Sequence, residues 1–152
     1  MNRPLWKRVI AIMFGGLLFS TPAIPQIFPS ATKAASIAIT QGPAVELAVE
    51  DFAIIRWTTT APGGSDEHFG VVHYGMDPNE LSQIAKSHIR LNRDHAETIF
   101  RVRVNGLTPQ TTYFYTVTSM ESSGESDEVK SPVNQFTTPA PGERIVAYPQ
   151  PR

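Results

Sequence analysis

Apolar side chains recur at every second position in several short stretches of the chain. The clearest of these stretches are residues 45–49, 53–57, 72–74, 100–104 and 113–117. Side chains two apart on a strand share one face, so each stretch predicts a strand with one apolar and one mixed face. This pattern is typical of antiparallel strands that are buried on one side only.

Two sheets of this kind must close their apolar faces on each other. The pattern therefore predicts an all-β fold, an immunoglobulin-like β-sandwich of about seven antiparallel strands. After the turn at residues 75–79, residues 81–87 fit an edge strand better than a short helical turn. The predicted domain spans residues 36–139, and the proline-rich residues 140–152 are either an extended or a disordered tail.

The first 34 residues have the character of a signal peptide and its leader. Residues 1–8 carry three basic side chains and no acidic one, and residues 9–19 form an apolar run. Such a run is shorter than the roughly 20 residues of a permanent membrane helix. Small residues place cleavage after Ala23 or after Ala34. We expect an exported protein without a stable membrane span after cleavage, because prolines disfavour the alternative of an uncleaved anchor.

Composition narrows the chemistry that the domain can carry. The chain has no cysteine, which removes disulfides, thiol catalysis and cysteine-ligated metals. Its 13 basic and 14 acidic residues give a net charge of −1, so we expect no nucleic-acid partner. The acidic, serine-rich residues 121–128 are predicted to be a solvated hairpin tip.

The histidines do not form a preset metal site. Odd spacings on one strand place side chains on opposite faces, and a zinc site needs three or four converging ligands. The sequence therefore predicts solvated surface histidines, no metal and no cofactor. The four histidines are His68, His73, His88 and His95.

One motif resembles the fibronectin type III domain. Residues 107–113 read LTPQTTY, which matches the L-x-P-x-T-x-Y pattern carried here by Leu107, Pro109 and Tyr113. In that family the motif forms a corner between strands, where the tyrosine hydroxyl bonds to upstream backbone. Trp57 is similar to the core tryptophan of the family's second strand. The resemblance implies structural roles for these four residues.

A second set of motifs resembles a narrower family, the N-terminal domain of purple acid phosphatases. Residues 72–82 read VHYGMDPNELS and are similar to its V-x-Y-G-x-x-P-x-x-L segment, which implies a structural role for Tyr74. Residues 136–139 read FTTP and are similar to its F-x-T-P ending. Together the motifs cover about residues 37–139.

The resemblance implies a scaffold and not an enzyme. Purple acid phosphatases hold their two metals in a separate, larger C-terminal domain, with motifs of the type GDxG, GDxxY, GNH[DE] and GHxH. None of these motifs occurs in the sequence. We therefore predict a domain with no catalytic residues, in which the catalytic metallophosphatase domain is absent.

An arginine stripe is the first candidate binding surface. Arg56, Arg101 and Arg103 fall on outward positions of predicted neighbouring strands. Aligned arginines grip sulfate or phosphate groups by bidentate contacts, which predicts an anionic polymer as ligand. The alternative is that outward carboxylates neutralise the stripe as cross-strand ion pairs. Those carboxylates are Glu46, Glu50 and Glu97.

An apolar patch is the second candidate. If Val72 and Tyr74 point inward, then alternation places their neighbours and a phenylalanine of the adjacent strand outward. A continuous exposed patch of this kind marks a docking surface, with the loop at residues 63–68 beside it. The alternative is that the tail covers the patch with Ile145, Val146 and Tyr148. The predicted patch consists of Phe69, Val71, His73 and Phe114.

These observations predict a non-catalytic, exported fibronectin type III-like binding module. We expect it to recognise a protein or a cell-surface polysaccharide at the cell envelope, without nucleic acid. The alternative function is an accessory domain that docks on a separately encoded metallohydrolase of the purple acid phosphatase type.

Overall fold

A computed structural model of the chain describes residues 32–147, which fold into antiparallel strands without any helix in that range. The predicted all-β sandwich is confirmed. Nine strands lie within these residues: β1 (Ile39–Val49), β2 (Phe52–Thr60), β3 (Glu67–Gly75), β4 (Gln83–Arg90), β5 (Glu97–Asn105), β6 (Thr112–Glu121), β7 (Ser126–Lys130), β8 (Asn134–Thr137) and β9 (Arg144–Val146).

The strands form two sheets. The four-stranded sheet has the order β5-β2-β1-β9, and the five-stranded sheet has the order β4-β3-β6-β7, with β8 also paired to β6. The alternation that predicted the strands is complete in β5, where buried and exposed residues follow each other without interruption. The pairing of β3 with β4 and β6 also runs without a register shift.

The core lies between the sheets and is centred on an aromatic pair. Trp57 is 1% exposed and stacks on Phe100 with ring centroids 5.2 Å apart. Across from them on β3 is Gly70, where a Cβ atom would come within 3.0 Å of side-chain atoms of Trp57, Phe100 and Val102. The absence of a side chain at Gly70 therefore allows the two sheets to approach each other at this point.

The turn before β6 is pinned by Tyr113, whose buried hydroxyl accepts a hydrogen bond of 3.0 Å from the amide of Thr108. Leu107 is 6% exposed and belongs to the same core cluster. The ring of Tyr113 also packs edge-on against Tyr74, with centroids 6.3 Å apart. Because the hydroxyl has a hydrogen-bond partner nearby in the chain, the aromatic ring is buried at the corner without leaving a polar atom unpaired.

Two strands depart from the predicted set of about seven. Residues 122–125 are an exposed turn between β6 and β7, as predicted, but the last part of the segment 121–128 begins β7, in which Asp127 and Val129 are buried. The proline-rich tail contains β9, which pairs with β1 of the four-stranded sheet. Neither strand was predicted, because hydrophobic alternation is the main signal for a strand and both segments contain too few apolar residues to show it.

Some predictions fall outside the described residues. The signal peptide, with cleavage after Ala23, and Tyr148 of the tail belong to this group. Ala34 is described, and its amide donates a hydrogen bond of 2.8 Å to the carbonyl of Pro62. Between residues 32 and 147 there is no helix of the length and hydropathy needed to cross a membrane.

Candidate functional site

The predicted apolar patch is not continuous. Phe69 lies opposite Met120, whereas Phe114 lies opposite Gly75, so the two phenylalanines are at opposite ends of the β3–β6 pair. Six residues of strand separate them, or roughly 20 Å. Both are half-buried. The prediction of one exposed patch that joins them is therefore wrong.

The same prediction is also wrong about the exposure of Val71. It points away from the core, as predicted, but it is only 1% exposed. The cause is its position in the middle of the sheet, between Lys86 of β4 and Thr118 of β6, with which it is in register. Cross-strand neighbours of this size cover a valine even on an outward face.

The alternative, that the tail covers this face, is wrong for Ile145 and Val146. Strand β9 pairs with β1 and therefore belongs to the four-stranded sheet. Ile145 and Val146 are 47% and 41% exposed there. The outer face of the five-stranded sheet is thus free of the tail over the residues that the structure describes.

His73 lies on this free face and borders a groove. We call it the His73 groove; its volume is about 500 Å³. It is lined by two kinds of residue: polar ones on the sheet, and apolar ones on the turns at its rim. The lining residues are His73, Pro78, Asn79, Leu81, Thr116, Thr118, Lys130, Ser131, Pro132 and Val133.

The floor of the groove contains an unsatisfied hydroxyl group. Thr116 is 2% exposed, and its Oγ1 has no hydrogen-bond partner within the described part of the chain. It lies directly opposite His73 in the β3–β6 pair. A buried hydroxyl without a partner costs about 1–3 kcal/mol, and the oxygen of this one is closed to solvent.

Two lysines lie on this face, and one of them, Lys130, lines the groove. Lys86 and Lys130 lie at the two ends of one cross-strand row, which runs through Val71 and Thr118. Burial lowers the pKa of His73, and the charges of Lys130 and Lys86 lower it further. His73 is therefore present as a neutral imidazole near pH 7, which donates a hydrogen bond from one ring nitrogen and accepts one at the other.

A second polar cluster is buried between the sheets at one end of the sandwich. The side chains of His68 and Asp127 are fully buried, and so is Ser119. The hydroxyl of Ser119 donates a hydrogen bond of 2.6 Å to Oδ2 of Asp127. His68 Nε2 approaches Oδ1 at 3.4 Å as an ion-pair contact without aligned hydrogen-bond geometry. Lys33 Nζ reaches the same oxygen at 3.7 Å.

This buried cluster contains the residue types of a serine hydrolase but not their arrangement. In such a site the histidine accepts the proton of the serine, and the aspartate orients the histidine. Here Asp127 lies between the other two, and it accepts the hydroxyl proton of Ser119 itself. The arrangement holds β3, β6 and β7 together, and its burial leaves no room for a substrate at Ser119.

Burial and pairing act in opposite directions on Asp127. Desolvation alone would raise the pKa of its carboxyl group, but the contacts with His68 and Ser119 and the positive charge of Lys33 outweigh it. The net effect is a pKa below the ordinary value, so the carboxylate remains ionised in the folded protein at neutral pH.

The arginine stripe is assembled, and two of its three arginines share one carboxylate. Arg56 and Arg101 are directly opposite each other on β2 and β5. Glu46 Oε2 accepts a 2.8 Å hydrogen bond from Arg101 Nε and lies 3.9 Å from Arg56 Nε. Arg103 places its guanidinium carbon 3.5 Å from the centroid of the Phe52 ring. These contacts match the predicted alternative of cross-strand pairing, with Glu46 as the carboxylate that provides it.

The histidines are separated by the fold. His68 is buried, which corrects the prediction that it is a surface residue, because β3 turns it toward the core. His88 is exposed on β4 and contacts Glu67, while His95 lies in the loop before β5. Among residues 32–147 there is no cluster of three or more potential metal-binding side chains.

Sequence reasoning found His73 but missed the residues that complete its surroundings. Thr116 and Lys130 carry no motif, and they meet His73 only through the register of β3, β6 and β7. The burial of Asp127 and Ser119 was not predicted either, because a segment rich in serine and acidic residues is usually exposed to solvent. The signal that the sequence did contain was the spacing of Asp127 and Val129, which are two residues apart and so share one face of a strand.

Comparison with known proteins supports the family resemblance. The family model described as the purple acid phosphatase N-terminal domain matches residues 43–138. No curated protein matches the chain. Solved structures of the sensor domain of the anti-sigma factor RsgI4 in Pseudobacteroides cellulosolvens are similar. One has 25% identity and a TM-score of 0.46, covering 69% of this chain and 75% of that one. A longer form has 20% identity and a TM-score of 0.43, covering 74% and 97%.

The family match extends from within β1 to the threonine that follows β8, which is more than half of the chain. It includes the tryptophan of the core, the tyrosine corner and every strand that borders the His73 groove. The match concerns the N-terminal domain of these enzymes and not their metal-binding catalytic domain. The chain therefore belongs to the family of purple acid phosphatase N-terminal domains.

Proposed function

We propose that the chain is a non-catalytic, exported binding module that recognises a polysaccharide of the cell envelope through the His73 groove. The observation that carries this proposal is the His73 groove itself, a depression of about 500 Å³ with polar residues on the sheet and apolar residues on the turns at its rim. Export is proposed from the basic start and apolar run of the first 19 residues.

The groove has the composition that a sugar polymer requires. Its volume of about 500 Å³ lies within the range of small-ligand sites. Hydroxyl and amide groups of Thr118 and Asn79 complement sugar hydroxyls, and Pro132 and Val133 offer apolar surface to the ring faces. Val133 is 48% exposed, so this surface is accessible from solvent.

Affinity gel electrophoresis with polysaccharides tests the proposal. The protein is run through gels that contain alginate, hyaluronate, xylan or dextran, and we expect at least one of them to retard it. Val133→Trp places a bulky ring in the groove and should abolish the retardation. Ile99→Trp is the matched control, because Ile99 is 45% exposed on the other sheet. No retardation by any polymer, or equal retardation of both variants, would contradict the proposal.

The absence of catalysis is proposed on separate grounds. The buried Ser119–Asp127–His68 cluster lacks the order of a catalytic triad, and the family match covers a non-catalytic domain. We expect no hydrolysis of p-nitrophenyl phosphate above the buffer blank, with or without added Fe and Zn ions. Phosphatase activity that co-purifies with the chain and disappears in a variant of a single residue would refute this.

Docking on a separately encoded metallohydrolase is the second candidate. Family membership favours it, and so do the exposed apolar residues Ile145 and Val146 at the edge of the four-stranded sheet. If this function is correct, the chain co-elutes in gel filtration with a purple acid phosphatase catalytic domain, and Val146→Asp prevents co-elution. Separate elution of the two proteins at micromolar concentration would exclude it.

A further inference from the structure

We infer that residues 32–34 form a structural strap of the folded domain, and that processing of the exported chain therefore cuts ahead of Lys33 and leaves this lysine in place. The inference rests on the export that is part of the proposed function. It selects between the two cleavage positions that the sequence predicts, after Ala23 and after Ala34. The contacts of the strap with two loops at one end of the sandwich carry it.

The backbone of the strap is fixed to the loop that follows β2. The amide of Ala34 donates a hydrogen bond of 2.8 Å to the carbonyl of Pro62, which is a buried residue. The strap passes so close to Gly63 that a Cβ atom there would overlap the carbonyl oxygen of Thr32 and lie 3.3 Å from Cα of Lys33. Gly63 also has a φ of +68°, a left-handed conformation that residues with a side chain rarely adopt. The loop therefore has its glycine at the point where the strap crosses it.

The side chain of Lys33 fixes the strap to a second loop, the turn between β6 and β7. Its ammonium group donates hydrogen bonds of 2.9 Å to Oε1 of Glu125 and of 2.7 Å to the carbonyl of Ser126. It also lies 3.7 Å from Oδ1 of Asp127. The side chain is 25% exposed, so these oxygens replace part of its hydration. One lysine thus connects the strap with a turn 92 residues later in the chain.

The contact with Asp127 links the strap to the buried cluster. Oδ1 of Asp127 is buried and has no hydrogen-bond partner within the described residues. The basic groups within ion-pair distance of this oxygen are Lys33 at 3.7 Å and His68 at 3.4 Å, and the histidine is charged only when it is protonated. A buried carboxylate is costly when its charge is not compensated. Loss of Lys33 therefore affects the interior of the sandwich as well as its surface.

Cleavage after Ala34 would remove all of these contacts together. The carbonyl of Pro62 would lose its donor, and the two carboxylates of the β6–β7 segment would lose their lysine. Signal cleavage acts on the unfolded chain, so the fold does not block a cut at this position but makes its product less stable. Cleavage after Ala23 leaves the strap intact, and Ala23 also lies closer to the apolar run of residues 9–19.

The strap is not recognisable from the sequence. It lies ahead of the predicted start of the domain at residue 36 and ahead of residues 43–138, which the family model matches. A single lysine in a short segment shows no alternation, and its partners are distant in the chain. The assignment of the strap to the domain therefore depends on the contacts that the structure shows.

N-terminal sequencing of the exported protein tests the processing directly. The chain is produced from residue 1 in a bacterial host, and the protein is isolated from the exported fraction. We expect an N terminus ahead of Lys33, at Ile24 if cleavage follows Ala23. An N terminus at Met1, or at any residue beyond Lys33, would overturn the inference. If the chain is not exported at all, the export in the proposed function fails, and the strap is decided by its effect on stability.

Thermal unfolding of Lys33→Met tests that effect. Methionine keeps an unbranched apolar side chain of similar length but removes the charge and the donors. We expect a Tm about 4 °C below that of the wild type, because a partly buried charge loses its place among three oxygens. Lys86→Met is the control, since it makes the same change at an exposed lysine of β4 and should leave the Tm unchanged. An unchanged Tm for Lys33→Met, or equal decreases in the two variants, would overturn the strap.

A double variant tests the link between the strap and the buried cluster. In an Asp127→Asn background, Lys33→Met should lower the Tm by less than it does in the wild type, because one contact of the lysine is already weakened. Equal decreases in the two backgrounds would show that the lysine and the aspartate are not coupled, and would overturn this link.

Discussion

Replacing Asp127 by asparagine removes the charge around which the buried cluster is organised. The carboxylate accepts the proton of Ser119 and lies within ion-pair distance of His68 and Lys33. It is one of the two buried side chains of β7, with Val129. Asparagine has nearly the same shape, so the substitution changes charge and hydrogen bonding while leaving the packing intact.

The expected loss follows from the burial of the partners. The hydroxyl of Ser119 loses a charged acceptor, and a hydrogen bond to a charged group contributes about 1.5–3 kcal/mol. Lys33 is a quarter exposed and keeps Glu125 as a partner at 2.9 Å, so it adds little, and the expected loss for Asp127→Asn is about 2 kcal/mol. For a domain of this size, a loss of that amount corresponds to a decrease in Tm of roughly 7 °C.

The loss should also depend on pH. The pKa of Asp127 is below its ordinary value in the folded protein, although burial alone would raise it, because the contacts with His68, Ser119 and Lys33 favour the carboxylate. A depressed pKa contributes stability above the unfolded value of 3.8, and this contribution is lost as pH falls through the folded pKa. The difference between the wild type and Asp127→Asn should therefore be constant near pH 7 and narrow below about pH 4.

Urea unfolding followed by circular dichroism at pH 7, 5 and 3 measures both effects. Glu128→Gln is the control, since it makes the same acid-to-amide change at the exposed neighbouring residue and should change stability by less than about 0.5 kcal/mol. A loss below about 1 kcal/mol for Asp127→Asn, or a difference from the wild type that is the same at pH 3 as at pH 7, would refute the reasoning.

Three other predictions concern separate parts of the sandwich. Tyr113→Phe should reduce the free energy of unfolding in urea by about 1 kcal/mol, because the amide of Thr108 loses its acceptor in a partly buried hydrogen bond; an unchanged value would refute the corner. Arg101→Ala should lower the free energy of unfolding by less than about 1 kcal/mol in the same assay, since its pair with Glu46 is exposed. It should not change the retardation by polysaccharides in the gel; a loss of retardation would show that the arginine stripe binds the polymer. Burial raises the pKa of Tyr115 to about 12, so ultraviolet titration should show one tyrosine that ionises near pH 12. The free energy of unfolding should decline as the pH rises above 10, because tyrosine ionises at that pH in the unfolded chain. Ionisation of all tyrosines near pH 10 would contradict this burial.

The sequence predicted those parts of the fold in which hydrophobic alternation is strong. Strands β2, β5 and β6 have apolar residues at every second position, and the motif around Tyr113 marked the corner between them. Strand β7 was not predicted, because its inward positions are filled by Asp127 and Val129. A single valine in an acidic run does not produce a recognisable alternation of apolar and polar residues. Its burial depends on partners from β3 and β6, which no local pattern contains.

The candidate site could be predicted only in part, for a related reason. His73 was found because it alternates with apolar neighbours, but its partners depend on strand register, and a shift by one residue would turn Thr116 into the core. Val71 shows the limit of alternation, which predicts direction and not exposure. The coverage of an outward valine is decided by the side chains of adjacent strands, here Lys86 and Thr118.

The central claim, that the outer face of the five-stranded sheet binds the polymer, is tested most directly by nuclear magnetic resonance. The ¹⁵N-labelled protein is titrated with short oligosaccharides of whichever polymer retards it in the gel. We predict that the largest amide shift changes occur at His73, Thr116 and Lys130. Shift changes concentrated instead around Arg56 and Arg101 on the opposite sheet, with those three amides unmoved, would contradict the claim.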